Sequence, residues 1–193
     1  MNPMYILIGA VVLIAVYFVA IYNGLVVLKA RIQEALSGID VQLKRRSDLI
    51  PNLVETVKGY AAHERQTLQG VIEARSKISQ MNVNPDVINS PEAFSKFQAA
   101  QNGLSSALSR LMVVVERYPD LKANANFLEL QSQLEGTENR ITVERKRYND
   151  AAQNFNTLRR TIPTILIATF MNFPEKSYFK AEEGASKAPQ VKF

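Results

Sequence analysis

The side chains best equipped for chemistry are few, and they do not match one another. His63 is the only histidine in 193 residues, and Glu64 follows it. A zinc hydrolase of the His-Glu-x-x-His type needs a second imidazole on the same helix face, and none exists. A serine–histidine–aspartate arrangement would have to use the same histidine, yet no Gly-x-Ser-x-Gly turn presents a nucleophile. A di-iron site in a helical bundle takes paired Glu-x-x-His motifs, which one histidine cannot supply. With no cysteine, thiolate zinc, iron–sulfur clusters, a disulfide framework and a cysteine nucleophile are excluded as well. The eight glycines are scattered singly, so no glycine-rich loop cradles a phosphate. The expectation is a chain with no catalytic residues, no cofactor and no metal, in which His63 packs beside Glu64.

What remains is recognition chemistry. Lys44, Arg45 and Arg46 form a run of three cations, suited to anionic lipid, a partner subunit, or a face that is solvated or paired within the chain. On a helix leaving a membrane upright, Lys44 lies about 24 Å beyond Leu28. Charges are screened over about 8 Å at physiological salt, so lipid contact there requires a bend. Arg46, Glu64, Glu138 and Asn139 fall in or near otherwise apolar stripes. A polar residue in a packed seam fixes register or oligomeric state at some cost in stability. The candidate interaction residues are therefore Lys44, Arg45, Arg46, Glu64, Glu138 and Asn139. The net charge of +5 is dispersed and accompanied by no RNA-binding or zinc-finger signature, so nucleic acid is not an expected partner.

The elements that must position these residues begin with an anchor. From Tyr5 to Leu28 there is no charged side chain. As a helix this stretch is about 36 Å long, enough to cross a hydrocarbon core of about 30 Å. Tyr5 and Tyr22 sit about 26 Å apart along it, where an interfacial aromatic belt belongs. No Lys or Arg precedes the stretch and no small-residue exit follows it, so it reads as a retained span and not a cleaved signal. Lys29 and Arg31, then Lys44 to Arg46, lie on its C-terminal side. The positive-inside bias predicts an outside N-terminus and a cytoplasmic body at a bacterial inner membrane.

The body reads as all-α. Leu36, Leu43, Ile50, Val57, Val71 and Ile78 recur every seven residues, interrupted only by Glu64, with Val54, Ala61 and Leu68 as companions. That is the pattern of a helix packed lengthwise against others. Pro51 predicts a kink or break within it, with Ser47 and Asp48 able to cap a new start. Residues 82–90 read as a loop, and Ser90-Pro91-Glu92 as the start of a third helix ending at Tyr118-Pro119. A fourth helix carries Phe127, Leu134, Ile141, Tyr148, Phe155 and Ile162 at sevenfold spacing and ends before Pro163. The short apolar TILIATF is expected to fold back onto the bundle, and the residues after Phe179 to be mobile. The organisation is thus an anchor at 1–28, an antiparallel long-helix bundle of four-helix type at 29–179, and a tail at 180–193.

The run IDVQLKRRSDLIPNLVETVKGYAAHE at 39–64 resembles the signature of the bacterial LemA family. YNGLV at 22–26, ERYPDLKAN at 116–124, EN at 138–139, RYN at 147–149 and NFPEKSYF at 172–179 also match. The resemblance implies an N-terminally anchored antiparallel helical bundle, and it carries no catalytic residues or cofactor. The expected role is a non-enzymatic scaffold in the lipid bilayer that forms homo-oligomers through coiled-coil-like faces. The alternative is a regulatory adaptor or sensor that binds another membrane protein, such as a protease or a signalling protein.

Overall fold

The computed structural model describes residues 3–81 and 87–180. Among them there is no strand. Six helices follow in order: α1 (Pro3–Tyr60), α2 (Arg65–Ser79), α3 (Pro91–Val115), α4 (Pro119–Lys122), α5 (Ala125–Arg160) and α6 (Thr164–Phe170), with a 3-10 turn at Val87–Asn89 before α3. The long helices α1, α2, α3 and α5 run alternately away from and back toward the N-terminal end. This is the antiparallel bundle that the sequence predicts.

Two chain reversals differ from the periodicity argument. α1 continues through Pro51 without a break. Proline removes one N–H and so leaves the carbonyl four residues earlier without its helical donor. That carbonyl belongs to Ser47, and it accepts instead from Arg75 Nε on α2 at 2.9 Å. The break comes at 61–64, where Glu64 N–H donates to the Ala61 carbonyl at 3.0 Å and the chain turns back. Glu64, the one interruption in the sevenfold stripe, marks this turn. At the other end, α5 stops at Arg160, so Ile162 falls beyond the helix and is 88% exposed.

The remaining helix ends follow the capping rules. Ser90 Oγ accepts from Ala93 N–H, with Pro91 in the first turn, and Asn124 Oδ1 accepts from Phe127 N–H at 3.0 Å. Each satisfies an orphan donor of the first turn.

α1 packs mainly on α5. On α1 the buried side chains at 32, 36, 39, 43, 46, 50, 53 and 57 follow the alternating three-and-four spacing of a coiled-coil seam, with Leu25 and Val54 buried besides. Gly38 permits the close approach of α5: a Cβ there would lie 2.9 Å from Glu144 Oε2. The core divides in two. Nearest the anchor, Leu25, Ile32, Ile39 and Leu43 meet an aromatic group of Phe94, Phe97, Tyr148, Phe155, Phe173 and Phe179. Farther out, Ile50, Leu53, Val57, Val71, Leu104, Leu111, Phe127 and Leu134 form a mainly aliphatic core.

The described apolar residues Met4–Val19 are exposed on all sides, whereas Leu25 is fully buried in the bundle. This N-terminal helix is long and apolar enough to cross a membrane. Its last turns are shared with the bundle, where Tyr22 and Leu28 pack on the core. TILIATF forms α6, which folds back on α1 and α5 as expected. Of the expected loop and tail, residues 82–86 and 181–193 lie outside the described residues.

Candidate functional site: a polar clasp and the groove beside it

Arg46 occupies a seam position of α1, one heptad from Ile39 and one from Leu53, and is 1% exposed. Its Nη1 donates to Glu138 Oε1 on α5 at 2.7 Å and to Ser105 Oγ on α3 at 3.3 Å. Its Nη2 donates to Gln101 Oε1 on α3. A buried guanidinium is tolerable only when paired and hydrogen-bonded, and these three partners supply both conditions. The clasp joins three helices at one level and separates the aromatic core from the aliphatic one. Sliding α1 by a turn against α5 would bury Arg46 without Glu138, so the pair fixes register.

The structure therefore divides the predicted residues. Arg46 and Glu138 come together as an internal strut. Arg46 is inaccessible to a partner, unlike the exposed Lys44 and Arg45 beside it. Glu64 lies at the far end, where its Oε1 accepts from Arg117 Nη2 at 3.0 Å and Tyr118 hydroxyl at 3.2 Å. It ties the α1–α2 turn to the α3–α4 turn. Asn139 is exposed and not in a seam, because the seam position is taken by Glu138's neighbour Thr137. His63 is exposed and does not pack beside Glu64 as expected; the tight turn projects it outward.

α3 and α5 do not close on one another alongside the clasp, on either side of its level. Between them lies an open groove of about 1020 Å³, with Leu108, Met112 and Leu134 at its base and Glu138, Asn139 and Lys146 among its polar lining. Glu138 thus has two sides, one bonded to Arg46 and one facing the groove; its side chain is 42% exposed.

A second polar constellation was not singled out from the sequence. After α6, Asn172 takes a left-handed backbone (φ 52°), and residues 173–180 run back along α5. Asn156 donates to the Lys176 carbonyl and accepts from the Lys176 N–H, both at 2.9 Å. Asn149 does the same for Phe179, at 3.0 and 2.9 Å. Two asparagines seven residues apart, on one face of α5, thereby dock an irregular segment as a strand partner would. The Tyr148 hydroxyl donates to the Ser177 carbonyl at 3.1 Å, and burial holds its pKa above the ordinary phenol value. Lys176 is 2% exposed. Its Nζ donates to Asn89 Oδ1 and lies 5.6 Å from the Phe155 ring centroid. Burial, followed by the nearby charges of Lys29 and Arg159, lowers its pKa to about 8. Asn149 lies in the RYN motif and Lys176 in NFPEKSYF, so the signal was present as two polar residues at a heptad interval facing a conspicuous aromatic run.

Comparison with known proteins gives these features relatives. The LemA family model matches residues 35–193. Magnetosome protein MamQ 1 of Paramagnetospirillum magneticum is 27% identical, over 98% of this chain and 77% of the relative. Magnetosome protein MamQ of Magnetospirillum gryphiswaldense is 24% identical over the same shares. Protein LemA of Metamycoplasma hominis is 28% identical, over 79% of this chain and 65% of the relative.

Proposed function

The chain belongs to the LemA family, and on that premise we propose that this membrane-associated protein is a non-enzymatic scaffold that assembles with copies of itself. The observation that carries the reading is the groove between α3 and α5. It is long, apolar at its base and edged by Glu138, Asn139 and Lys146. An apolar furrow with a polar rim is the form of a helix-in-groove contact. A helix face of a second copy fits it, and the Arg46–Glu138 strut holds its walls at fixed register. Catalysis is left out because the groups that could perform it are otherwise engaged. Glu64 is held by Arg117 and Tyr118, and His63 stands apart on a turn. The charge asymmetry about the anchor supports an inner-membrane location with the bundle in the cytoplasm.

The chain has no cysteine, so single introduced thiols report cleanly. Asn139→Cys in native membranes should yield a disulfide-linked or bismaleimide-linked dimer, and sedimentation in detergent should give particles heavier than one chain. One chain per particle together with no cross-link at Asn139 would sink the self-assembly reading. An N-terminal outside location predicts that a C-terminal green-fluorescent fusion glows and a C-terminal alkaline phosphatase fusion is inactive.

A further inference from the structure

α6 presents an unpartnered apolar face. Ile162 just before it, with Leu166 and Phe170 within it, are 88%, 70% and 85% exposed. Leu166 and Phe170 are four residues apart, so they share one side of the helix. Its opposite side, Thr164, Ile167 and Ala168, is buried. The face lies at the anchor end of the bundle. Phe173, just after α6, meets the Tyr22 ring edge-on at 6.0 Å. The exposed face of α6 therefore lies at the end of the bundle from which the exposed apolar stretch Met4–Val19 emerges.

Directly beyond α6, Met171 and Asn172 open onto a pocket of about 360 Å³ that also takes in Tyr22, Lys29, Asn89 and Lys176. Lys29 stands one residue past the uncharged stretch. Lys176 is buried, and its recorded partners are an amide oxygen and an aromatic ring. Among the described residues, no carboxylate pairs with Lys176, Lys29 or Arg159; the ion pair nearby is Arg160 with Glu175. A buried ammonium without a countercharge is costly, and here two further cations add to the charge.

We propose that this corner is a binding site for one anionic phospholipid, with acyl chains along α6 and α1 and the headgroup phosphate in the pocket. Lys176 and Lys29 supply the countercharge, and the Asn89 and Asn172 amides and the Tyr22 hydroxyl supply neutral donors. The arrangement puts cations immediately beside the apolar surface, as an amphiphile requires. It also explains why Lys176 is buried on Phe155 while its charged end stays at a pocket wall. Burial, and then the charges of Lys29 and Arg159, lower the pKa of Lys176, in keeping with the missing countercharge. The proposal rests on the membrane anchorage given above and not on self-association.

The test uses the full chain reconstituted in an equal mixture of phosphatidylcholine and phosphatidylglycerol. After extraction in mild detergent, retained lipid is identified by mass spectrometry. Each lysine facing an anionic headgroup contributes about a fivefold preference, so with two lysines phosphatidylglycerol should be enriched about 25-fold. The combined change Lys29→Gln and Lys176→Met should return the ratio to near that of the mixture. Asn89→Asp guards against misfolding as an explanation: it gives Lys176 a permanent carboxylate, so it should abolish enrichment while raising the melting temperature. Leu166→Asp with Phe170→Asp should also abolish enrichment and leave the chain resistant to alkaline carbonate washing. Equal enrichment in wild type and the lysine variant overturns the proposal. So does displacement of the lipid by millimolar glycerol phosphate, which would make the site one for a soluble phosphate. Loss of the wild-type chain on carbonate washing would instead overturn the anchorage itself.

Discussion

The two halves of the bundle are built on different principles. Beyond Arg46 the core is mainly aliphatic and comes chiefly from helices: Ile50, Leu53, Val57, Leu104, Leu111 and Leu134 interlock along their length. On the anchor side, six aromatic rings dominate, and two of them, Phe173 and Phe179, come from a segment with no helical structure. That segment is docked by asparagines and carries a buried lysine. The outer half satisfies every demand of a rod. The inner half stores an uncompensated charge beside a lipid-sized apolar face, which a rod does not need. On the lipid proposal, the outer half is a spacer held in register by the clasp, and the inner half is the part that meets the membrane.

The sharpest way to break this comparison is Phe179→Ala. The ring lies 4.7 Å from Phe94 and 5.1 Å from Tyr148, and the Arg145 guanidinium sits 5.4 Å from its centroid. Emptying such a site costs about 4 kcal/mol. The loss should fall on the inner half, so hydrogen exchange should rise in residues 173–180 and around Tyr148 while α2 stays protected. Uniform loss of protection would show that the halves are one cooperative unit.

Glu138→Ala comes next, at about 3 kcal/mol, because it leaves the Arg46 guanidinium buried without its carboxylate. Arg46→Met combined with Glu138→Leu removes both charges and should recover most of that loss in a chemical melt. If register is the purpose of the clasp, the double variant stays folded yet loses the Asn139→Cys cross-link to a second copy. A double variant as unstable as the single one would show that the clasp contributes net stability.

How far these features were legible follows from the physics of each. Interlocking helices leave a period in the sequence, so α3, α5 and the seam through Leu36, Leu43, Ile50 and Val57 could be read directly. Arg46 and Glu138 could be recognised as interruptions, but pairing between residues 92 positions apart has no local signature. Pro51 misled because its cost is local while its remedy, Arg75, arrives from another helix. The reversal at 61–64 contains neither glycine nor proline, and Glu64 was its single cue. Lys176 escaped because an extended segment held by side-chain amides has no periodicity. Ile162 was drawn into the α5 stripe because spacing alone cannot show where a helix stops.

Lys176 makes the next prediction, by its pH dependence. Its folded pKa of about 8 lies below the ordinary 10.5. Between those values the unfolded chain binds more protons, so stability rises with pH through that window. Below 8 both states are protonated and the full penalty is present. In zwitterionic detergent, Lys176→Met should therefore be more stable than wild type at pH 7, by roughly 2 kcal/mol once screening at the pocket mouth is allowed for. The advantage should vanish near pH 10.5. Phosphatidylglycerol should reverse the order at pH 7, since it supplies the missing charge to wild type alone. A constant gap at all pH values would place the lysine in a purely packing role.

The smallest effect belongs to the pair that looked most chemical in the sequence. Lys44 and Arg45 are exposed on α1, and exposed charges change stability by about 0.5 kcal/mol or less. Lys44→Glu with Arg45→Glu should leave the melt unaltered and leave phosphatidylglycerol retention unaltered too, because both sides are far from the Lys29 pocket on a screened scale. If these cations contribute to assembly, reversal should slow association and weaken its salt dependence, measured by sedimentation velocity across ionic strength. Unchanged assembly would assign self-recognition to the groove and leave the two cations with solubility alone. A fall in lipid retention would be the more damaging outcome, for it would mean that the bundle bends at the level of the clasp and brings these cations down to the bilayer.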